Sequence, residues 1–306
     1  MCGDRHGANR QGRAVTATEI APDTAAAPPG PAARRAGYRR LIRPFVTRLS
    51  ALVLVLVLWV LVTATALVDP LYLPSPGAVW DAFVRANTRH PIAPGVDRMV
   101  IGEQNYYLWE HLVASLQRIG AGIGLAVVAG PPTGFVMGML APVRLVTEPI
   151  LNFLRALPPL GYIGLLIVWF GIGDVSKIWL LFLAAFPPIA IATLNGVTGV
   201  KQDYLHAARS LGAGRVQVIL RVVLPATLPE VIGGIRLATA FAWTTVVAAE
   251  LNNGIPGIGG LAYISGTQLD TPLTIACIIV IGGAALALDS LLKLAGDVAV
   301  PWKGKA

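Results

Sequence analysis

The chain has 306 residues, of which 55% are hydrophobic and only 13% are charged, and its formal net charge is +8. Soluble globular domains carry roughly 25% charged residues, so this composition excludes a soluble core and favours a lipid bilayer as the solvent. The positive charge does not indicate nucleic-acid binding, because nine of the 24 basic residues precede the first apolar run, the position of a positive cytoplasmic end.

Residues 1–45 form the first segment, which is rich in Ala, Pro, Gly and Arg and has no apolar periodicity. Such a composition predicts a disordered, basic cytoplasmic tail. A signal peptide is not expected, because the first apolar run is too long for a signal-peptide core and no convincing cleavage site follows it.

Six apolar segments follow, each long enough to approach the roughly 20 helical residues that a bilayer requires. They predict an all-α, multi-pass membrane protein, with a transmembrane domain over residues 46–300 and a short cytoplasmic tail over 301–306. The predicted spans are residues 51–68, 112–139, 150–170, 177–197, 229–251 and 271–294.

Proline pairs interrupt three of these spans, the second of them at Pro131-Pro132. Pro158-Pro159 is expected to break or kink the third span, which makes that span a bent or discontinuous element. Pro187-Pro188 lies in the middle of the fourth span. Neighbouring helices can satisfy the carbonyls that proline leaves free, so these sites are either points at which packed helices bend in use or irregularities of packing.

The distribution of basic residues predicts the orientation. With the N-terminus in the cytoplasm, 18 of the 24 basic residues fall on cytoplasmic segments and four on the opposite side. This asymmetry places both termini in the cytoplasm, and an even number of spans agrees with it. The link of residues 69–109, with its predicted short amphipathic helix, then lies outside.

The most informative segment is the predicted cytoplasmic loop of residues 201–226. Good helix formers over 204–211 predict a short helix that begins near Asp203 and ends at Gly212. Residues 215–223 predict a second short helix, ended by Leu224-Pro225. The small residues Ala207, Ala208 and Gly212 would let another protein surface approach this helix pair closely.

The same loop resembles a motif of binding-protein-dependent ABC importer permeases: E-A-A, three residues, G, nine residues, I, one residue, L-P. This chain has His206-Ala207-Ala208, then Gly212, Val222 and Leu224-Pro225 at the matching spacing. The resemblance implies that the loop forms the coupling helix that docks on the ATPase. His206 replaces the acidic residue, so the resemblance implies no salt bridge there.

The resemblance extends from about residue 73 to the C-terminus. The stretches LPSPGAVW, HLVASLQRIGAG, LRALPPLGYIGLLIVWFGIGDVSKI and WTTVVAAEL are similar to permeases for taurine, alkanesulfonates and nitrate, and most of all to taurine permeases. The resemblance implies a type I importer fold, a second permease copy, two cytoplasmic ATP-binding subunits and an external substrate-binding protein. It also implies that this chain is not an enzyme and has no cofactor, because the partner subunit binds ATP.

Two charged residues of the fifth span are candidates for a substrate path or gate. Arg236 lies about two turns inside that span, where a charge is costly and suggests a function; it either snorkels to the cytoplasmic surface or attracts an anion. Glu250 ends the span on the external side and is either an interface group or part of an external gate. Asp289 and Lys293 are expected to form a surface pair at i, i+4.

Several other functions lack their sequence signals. The chain has no Gly-rich phosphate loop, and its four histidines form no metal-binding cluster with its two cysteines. An intramembrane enzyme would require a catalytic constellation, and none is visible. A secondary transporter would usually place acidic or polar residues inside its spans, and it remains the less favoured alternative to an ATP-driven importer of a sulfonate, of nitrate or of another small organic substrate.

Overall fold

The computed structural model describes residue 47 and residues 50–65, 67–91, 97–251 and 254–302 of the chain. The predicted tail of residues 1–45 and the last four residues of the C-terminal tail lie outside the described residues. The chain divides into two units, Met1–Val57 and Leu58–Ala306. In the first unit the described residues belong to the start of an apolar helix whose side chains are exposed.

The described elements are almost entirely helical, as the sequence predicted, with one short hairpin. In chain order they are α1 (Ser50–Ala64), α2 (Pro76–Arg85), β1 (Arg89–Pro91), β2 (Met99–Ile101), α3 (Leu108–Met139), α4 (Ala141–Ala156), α5 (Pro159–Phe170), α6 (Asp174–Thr198), α7 (Gln202–Ser210), α8 (Arg215–Val218), a π-helical turn (Ile219–Val223), α9 (Leu224–Glu250), α10 (Ile258–Thr267) and α11 (Thr271–Ala299). Strands β1 and β2 pair antiparallel.

Four helices of the described residues are long and apolar enough to cross a membrane. They are α3, α6, the continuous helix Arg215–Glu250 and α11, and they coincide with four of the six predicted spans. The first predicted span overlaps α1, a shorter apolar helix. These helices confirm the polytopic, all-helical fold class.

The third predicted span is a broken one. Neither α4 nor α5 is long enough to cross a membrane alone. Together they are long and apolar enough, but the chain bends by 101° between them at residues 157–158. Pro158 and Pro159 explain the break, because proline lacks an amide proton and pushes the preceding residue out of the helical conformation. Leu157 and Pro158 accordingly have extended backbone angles.

Helix α6 lies at the centre, with α3 and α9 packed along it. Glycines of α3 allow the close approach: a Cβ at Gly130 would lie 2.8 Å from Ile189, and one at Gly138 would lie 2.5 Å from Val197. Since lipid tails give no hydrophobic drive for helix association, such small residues make close packing the main stabilising term.

Arg85, at the end of α2, pairs with Glu103 after β2 and with Asp270 at the start of α11. Its guanidinium contacts Glu103 at 3.1 Å and Asp270 at 2.5 Å. Partial burial acts to lower the pKa of Arg85, but the two carboxylates outweigh it, so the pKa is raised. These contacts hold the predicted external side of the bundle together.

Candidate functional site

The predicted coupling helix is α7, and its end follows from Gly212. Gly212 has a φ of +81°, which a side chain with a Cβ rarely adopts. The amide of Gly212 donates to the carbonyl of Arg209 at 2.9 Å, and that of Ala213 donates to Ala208 at 3.1 Å. This pair of bonds is a Schellman motif, so the predicted glycine stop is confirmed.

The start and the far end of the loop differ from the prediction. The residue before α7 is Lys201, with no side-chain cap, and Asp203 lies in the first turn. Leu224-Pro225 does not end the second helix, because α8 continues through the π-helical turn into α9. The wider turn explains this, since a proline in a regular helix clashes with the carbonyl four residues earlier.

Helix α7 presents a solvent-facing surface that includes apolar side chains. His206, Ala207 and Gly212 are exposed, and Leu211 has 89% of its surface exposed. Apolar residues around α7, α8 and the π-helical turn are exposed as well, namely Tyr204, Val216, Leu220 and Leu224. Such a surface is typical of an interaction site.

The opposite side of α7 is attached to the membrane helices. Leu205 and Ala208 pack against a buried cluster formed by Val197, Val200, Val218 and Val223. These valines belong to the end of α6 and to the segment that leads into α9. Helix α7 therefore contacts both of these membrane segments.

A second candidate site is a buried ion pair at the predicted external ends of the helices. Glu250, the last residue of α9, has a fully buried side chain, and Arg118 of α3 is also buried. Their Nη1 and Oε1 atoms lie 2.6 Å apart. The Nε of Arg118 donates to Asp174 Oδ1 at 2.7 Å, and Lys177 Nζ lies 3.7 Å from the same oxygen.

This ion pair extends into hydrogen bonds at the start of α10. The amide of Gly259 donates to Glu250 Oε2 at 2.9 Å, and that of Ile258 donates to Ser115 Oγ at 3.0 Å. Gly257 donates to His111 Nδ1 at 3.0 Å. Three consecutive amides are thereby satisfied, and the carboxylate stabilises the positive end of the α10 dipole.

Two glycines permit this close approach. A Cβ at Gly257 would lie 2.7 Å from Glu250 Cδ and 2.8 Å from Arg118 Nη1. One at Gly259 would lie 2.6 Å from Val247 Cα. The network therefore joins α3, α6, α9 and α10 through buried contacts of Glu250 and Arg118. The sequence contained a signal for it: His111, Ser115 and Arg118 share one face of an apolar helix through their spacing of four and three.

Arg236 is paired in a way that the sequence reasoning missed. Its Nη2 donates to both carboxylate oxygens of Asp289 at 2.9 Å, and its Nε donates to Oδ1 at 3.0 Å. The predicted pair of Asp289 with Lys293 is not the one that forms among the described residues. Asp289 pairs instead with Arg236 on another helix, because the planar guanidinium matches both carboxylate oxygens. Both side chains are more than one-third exposed.

The chain is similar in sequence to known membrane transport proteins. The sequence model of a family described as "Binding-protein-dependent transport system inner membrane component" matches residues 122–301. The taurine transport system permease protein TauC of Escherichia coli is 37% identical over 268 residues, which cover 87% of this chain and 92% of TauC.

Other similar proteins carry different names. The nitrate import permease protein NrtB of Leptolyngbya laminosa is 34% identical, with 67% of this chain and 73% of NrtB covered. The bicarbonate transport system permease protein CmpB of Synechococcus elongatus is 32% identical, with 71% and 77% covered. A structure of the inward-facing MetNI methionine ABC transporter superposes with a TM-score of 0.53 and 21% identity, covering 63% of this chain and 94% of that one.

Proposed function

The chain belongs to the inner-membrane components of binding-protein-dependent transport systems, and from this membership we propose that it carries taurine or a closely related sulfonate. As the sequence predicted, it is a non-catalytic, multi-pass permease subunit of an ABC importer in the inner membrane. The observation that carries the substrate proposal is its 37% identity to TauC over 87% of the chain.

The assembly that we propose contains two copies of this chain, two cytoplasmic ATP-binding subunits and an external substrate-binding protein. ATP is bound by the partner subunits. The permease of a small anion such as nitrate or bicarbonate is the second candidate, and the similarity to NrtB and CmpB favours it.

Coupling to the ATPase is assigned to residues His206, Ala207, Ala208, Gly212, Leu224 and Pro225. The exposed face of α7 docks on the ATPase, and closure of the ATPase pair moves α7. Because Leu205 and Ala208 pack against the ends of α6 and of the segment before α9, this movement tilts both helices. The π-helical turn before Pro225 is the point at which the second of them bends most readily.

Glu250 and Arg236 are assigned to the substrate path or its gates. Glu250, with Arg118, fastens the start of α10 across the external ends of α3 and α9. Arg236 lies nearer the predicted cytoplasmic side, about 21 Å below Glu250 at 1.5 Å per residue. In this proposal, the Glu250–Arg118 pair and the Arg236–Asp289 pair each open during transport.

The substrate proposal is tested on the substrate-binding protein that delivers substrate to this permease. Its melting temperature is measured with taurine, alkanesulfonates, nitrate and bicarbonate. Taurine at a hundred times its dissociation constant stabilises a binding protein by about 2.7 kcal/mol, so we expect the largest upward shift with taurine or an alkanesulfonate. A shift with nitrate or bicarbonate alone would favour the second candidate.

The role of Arg236 is tested by removing its charge and then that of its partner. We expect Arg236→Gln to reduce uptake, because the positive charge on the path is lost. Uptake is measured at equal protein level in the membrane. The matched variant is Arg236→Gln combined with Asp289→Asn: recovery of uptake in the double variant would assign Arg236 to helix pairing alone and contradict a role in the path.

A further inference from the structure

A cavity of about 230 Å³ lies where the broken span meets the central helices. Its wall is formed by the end of α4, the Pro158-Pro159 break, the start of α5 and one side of α6 and α9. The polar residues that line it are Arg155, Tyr162, Thr244 and Thr245. The residues of the coupling loop and of the Glu250 and Arg236 ion pairs are not among those that line this cavity.

The cavity lies close to the middle of the membrane, so Arg155 lies inside the broken third span rather than on the cytoplasmic side, where the count of basic residues placed it. On α6 it is lined by Ala184 and Pro188, which are about 15 and 21 Å from the external end of that helix at 1.5 Å per residue. On α9 it is lined by Thr244, about 9 Å from Glu250 on the same count. These depths bracket the midplane of a hydrocarbon layer about 30 Å thick.

Its chemistry favours an anion. Arg155 supplies a positive charge, and none of the twelve described residues that line the cavity is acidic. The larger cavity beside Arg118 differs, because Asp174 lines it and Glu250 neutralises the arginine. A cation at membrane depth without an acidic group in the same cavity wall is costly unless it serves a function.

Two hydroxyl groups can join Arg155 in binding an anion. Thr244 and Thr245 both donate to the carbonyl oxygen of Phe241, at 2.9 and 2.8 Å. Since they share one acceptor, either hydroxyl can turn towards a bound anion while the carbonyl keeps the other bond. The site would thus supply a guanidinium fork and a hydroxyl donor, which suit the oxygens of a sulfonate.

The exposure of these groups indicates which surface covers the site. Arg155 and Thr244 are exposed in the single chain, and Phe241 has 49% of its surface exposed. A guanidinium at this depth cannot lie against lipid tails at low cost. This face therefore borders a water-filled path or a second copy of the chain.

We propose that the cavity at the α4–α5 break is a midmembrane binding site for a sulfonate or a similar small anion on its way through the permease, with Arg155 as the charged ligand. The proposal rests on the proposed function for its place in transport. The anion site itself stands on the cavity, its depth and its charge.

The first test compares two arginines of the same helix. Arg155→Gln and the control Arg144→Gln, whose arginine pairs with Glu148 on the surface of α4, are reconstituted with the ATPase and the binding protein. We expect Arg155→Gln to lower the initial rate of radiolabelled taurine uptake by about tenfold, as for a lost charged hydrogen bond. ATP hydrolysis stimulated by the loaded binding protein should stay near wild type, as should uptake by Arg144→Gln.

Two results would overturn the proposal. Equal uptake by wild type and Arg155→Gln would show that the substrate does not use the site. Loss of stimulated ATP hydrolysis together with uptake would assign Arg155 to coupling instead.

A second test does not depend on transport. Thr244→Cys is introduced into the full chain with Cys2→Ser and Cys277→Ser, and the rates of modification by a sulfonate-bearing and a quaternary-ammonium methanethiosulfonate are compared. We expect the anionic reagent to react faster, and Arg155→Gln to reduce this preference about tenfold.

Failure of the proposed function is distinguishable from failure of this inference. If wild-type vesicles carry no taurine while the charge preference of the thiol introduced by Thr244→Cys depends on Arg155, the substrate assignment fails and the anion site stands. Absence of any charge preference, or no reaction with either reagent, would overturn the anion site.

Discussion

Replacing Gly212 with threonine is expected to weaken docking of the ATPase and to abolish most ATP-driven uptake, while the protein still reaches the membrane. Gly212 has a φ of +81°, and a β-branched residue there costs about 1–2 kcal/mol. Apart from its immediate chain neighbours, no described residue has an atom within 4 Å of a Cβ built at this position, so the effect is conformational. A cost of this size corresponds to about 5–30-fold weaker docking, measured as the affinity of the ATPase for permease in nanodiscs.

Gly214 provides the matched control two residues later. It lies in the same loop, has open space around its Cβ and has a φ of −70° at the start of α8. Threonine is a favourable residue at such a helix start, so Gly214→Thr should keep docking and uptake near wild type. Equal loss in both variants, or normal uptake by Gly212→Thr, would contradict the coupling role of the Gly212 turn.

The end of α7 was predictable because the information is local. A glycine after a run of helix formers indicates a left-handed turn, and every hydrogen bond of that turn joins residues from Ala208 to Ala213. The spans and the break at Pro158-Pro159 were predictable for the same reason, since apolar length and proline sterics act within one segment.

What the sequence did not predict depends on contacts between distant segments. Arg118 and Glu250 are separated by 132 positions, and no periodicity indicates which helix faces which. Asp289 has two possible partners. A pair with Lys293 at i+4 would stabilise the helix by only a few tenths of a kcal/mol, whereas Arg236 on α9 offers a bidentate contact. The helix through Pro225 was missed because a π-helical turn has no sequence signature comparable to that of a proline stop.

Replacing Glu250 with glutamine is expected to destabilise the protein and to stop uptake. The amide can still accept the hydrogen bond from Gly259, but Arg118 would then lack its buried counterion. Breaking one side of a buried pair costs about 3–5 kcal/mol, which corresponds to a melting temperature lower by about 10 °C for a domain of this size. Melting in detergent and uptake in vesicles measure the two effects, and Glu148→Gln, which breaks only a surface pair with Arg144, should change neither.

The double variant Arg118→Gln with Glu250→Gln separates stability from gating. It removes both charges, so no uncompensated charge remains in the pair, and two amides can hydrogen bond where the ions were; we expect most of the melting temperature to return. Uptake should stay low, because a neutral pair does not supply the same attraction between α3 and the end of α9, on which the proposed external gate depends. Recovery of uptake together with stability would mean that the pair only holds the fold, and the gate would then have to lie elsewhere along the path.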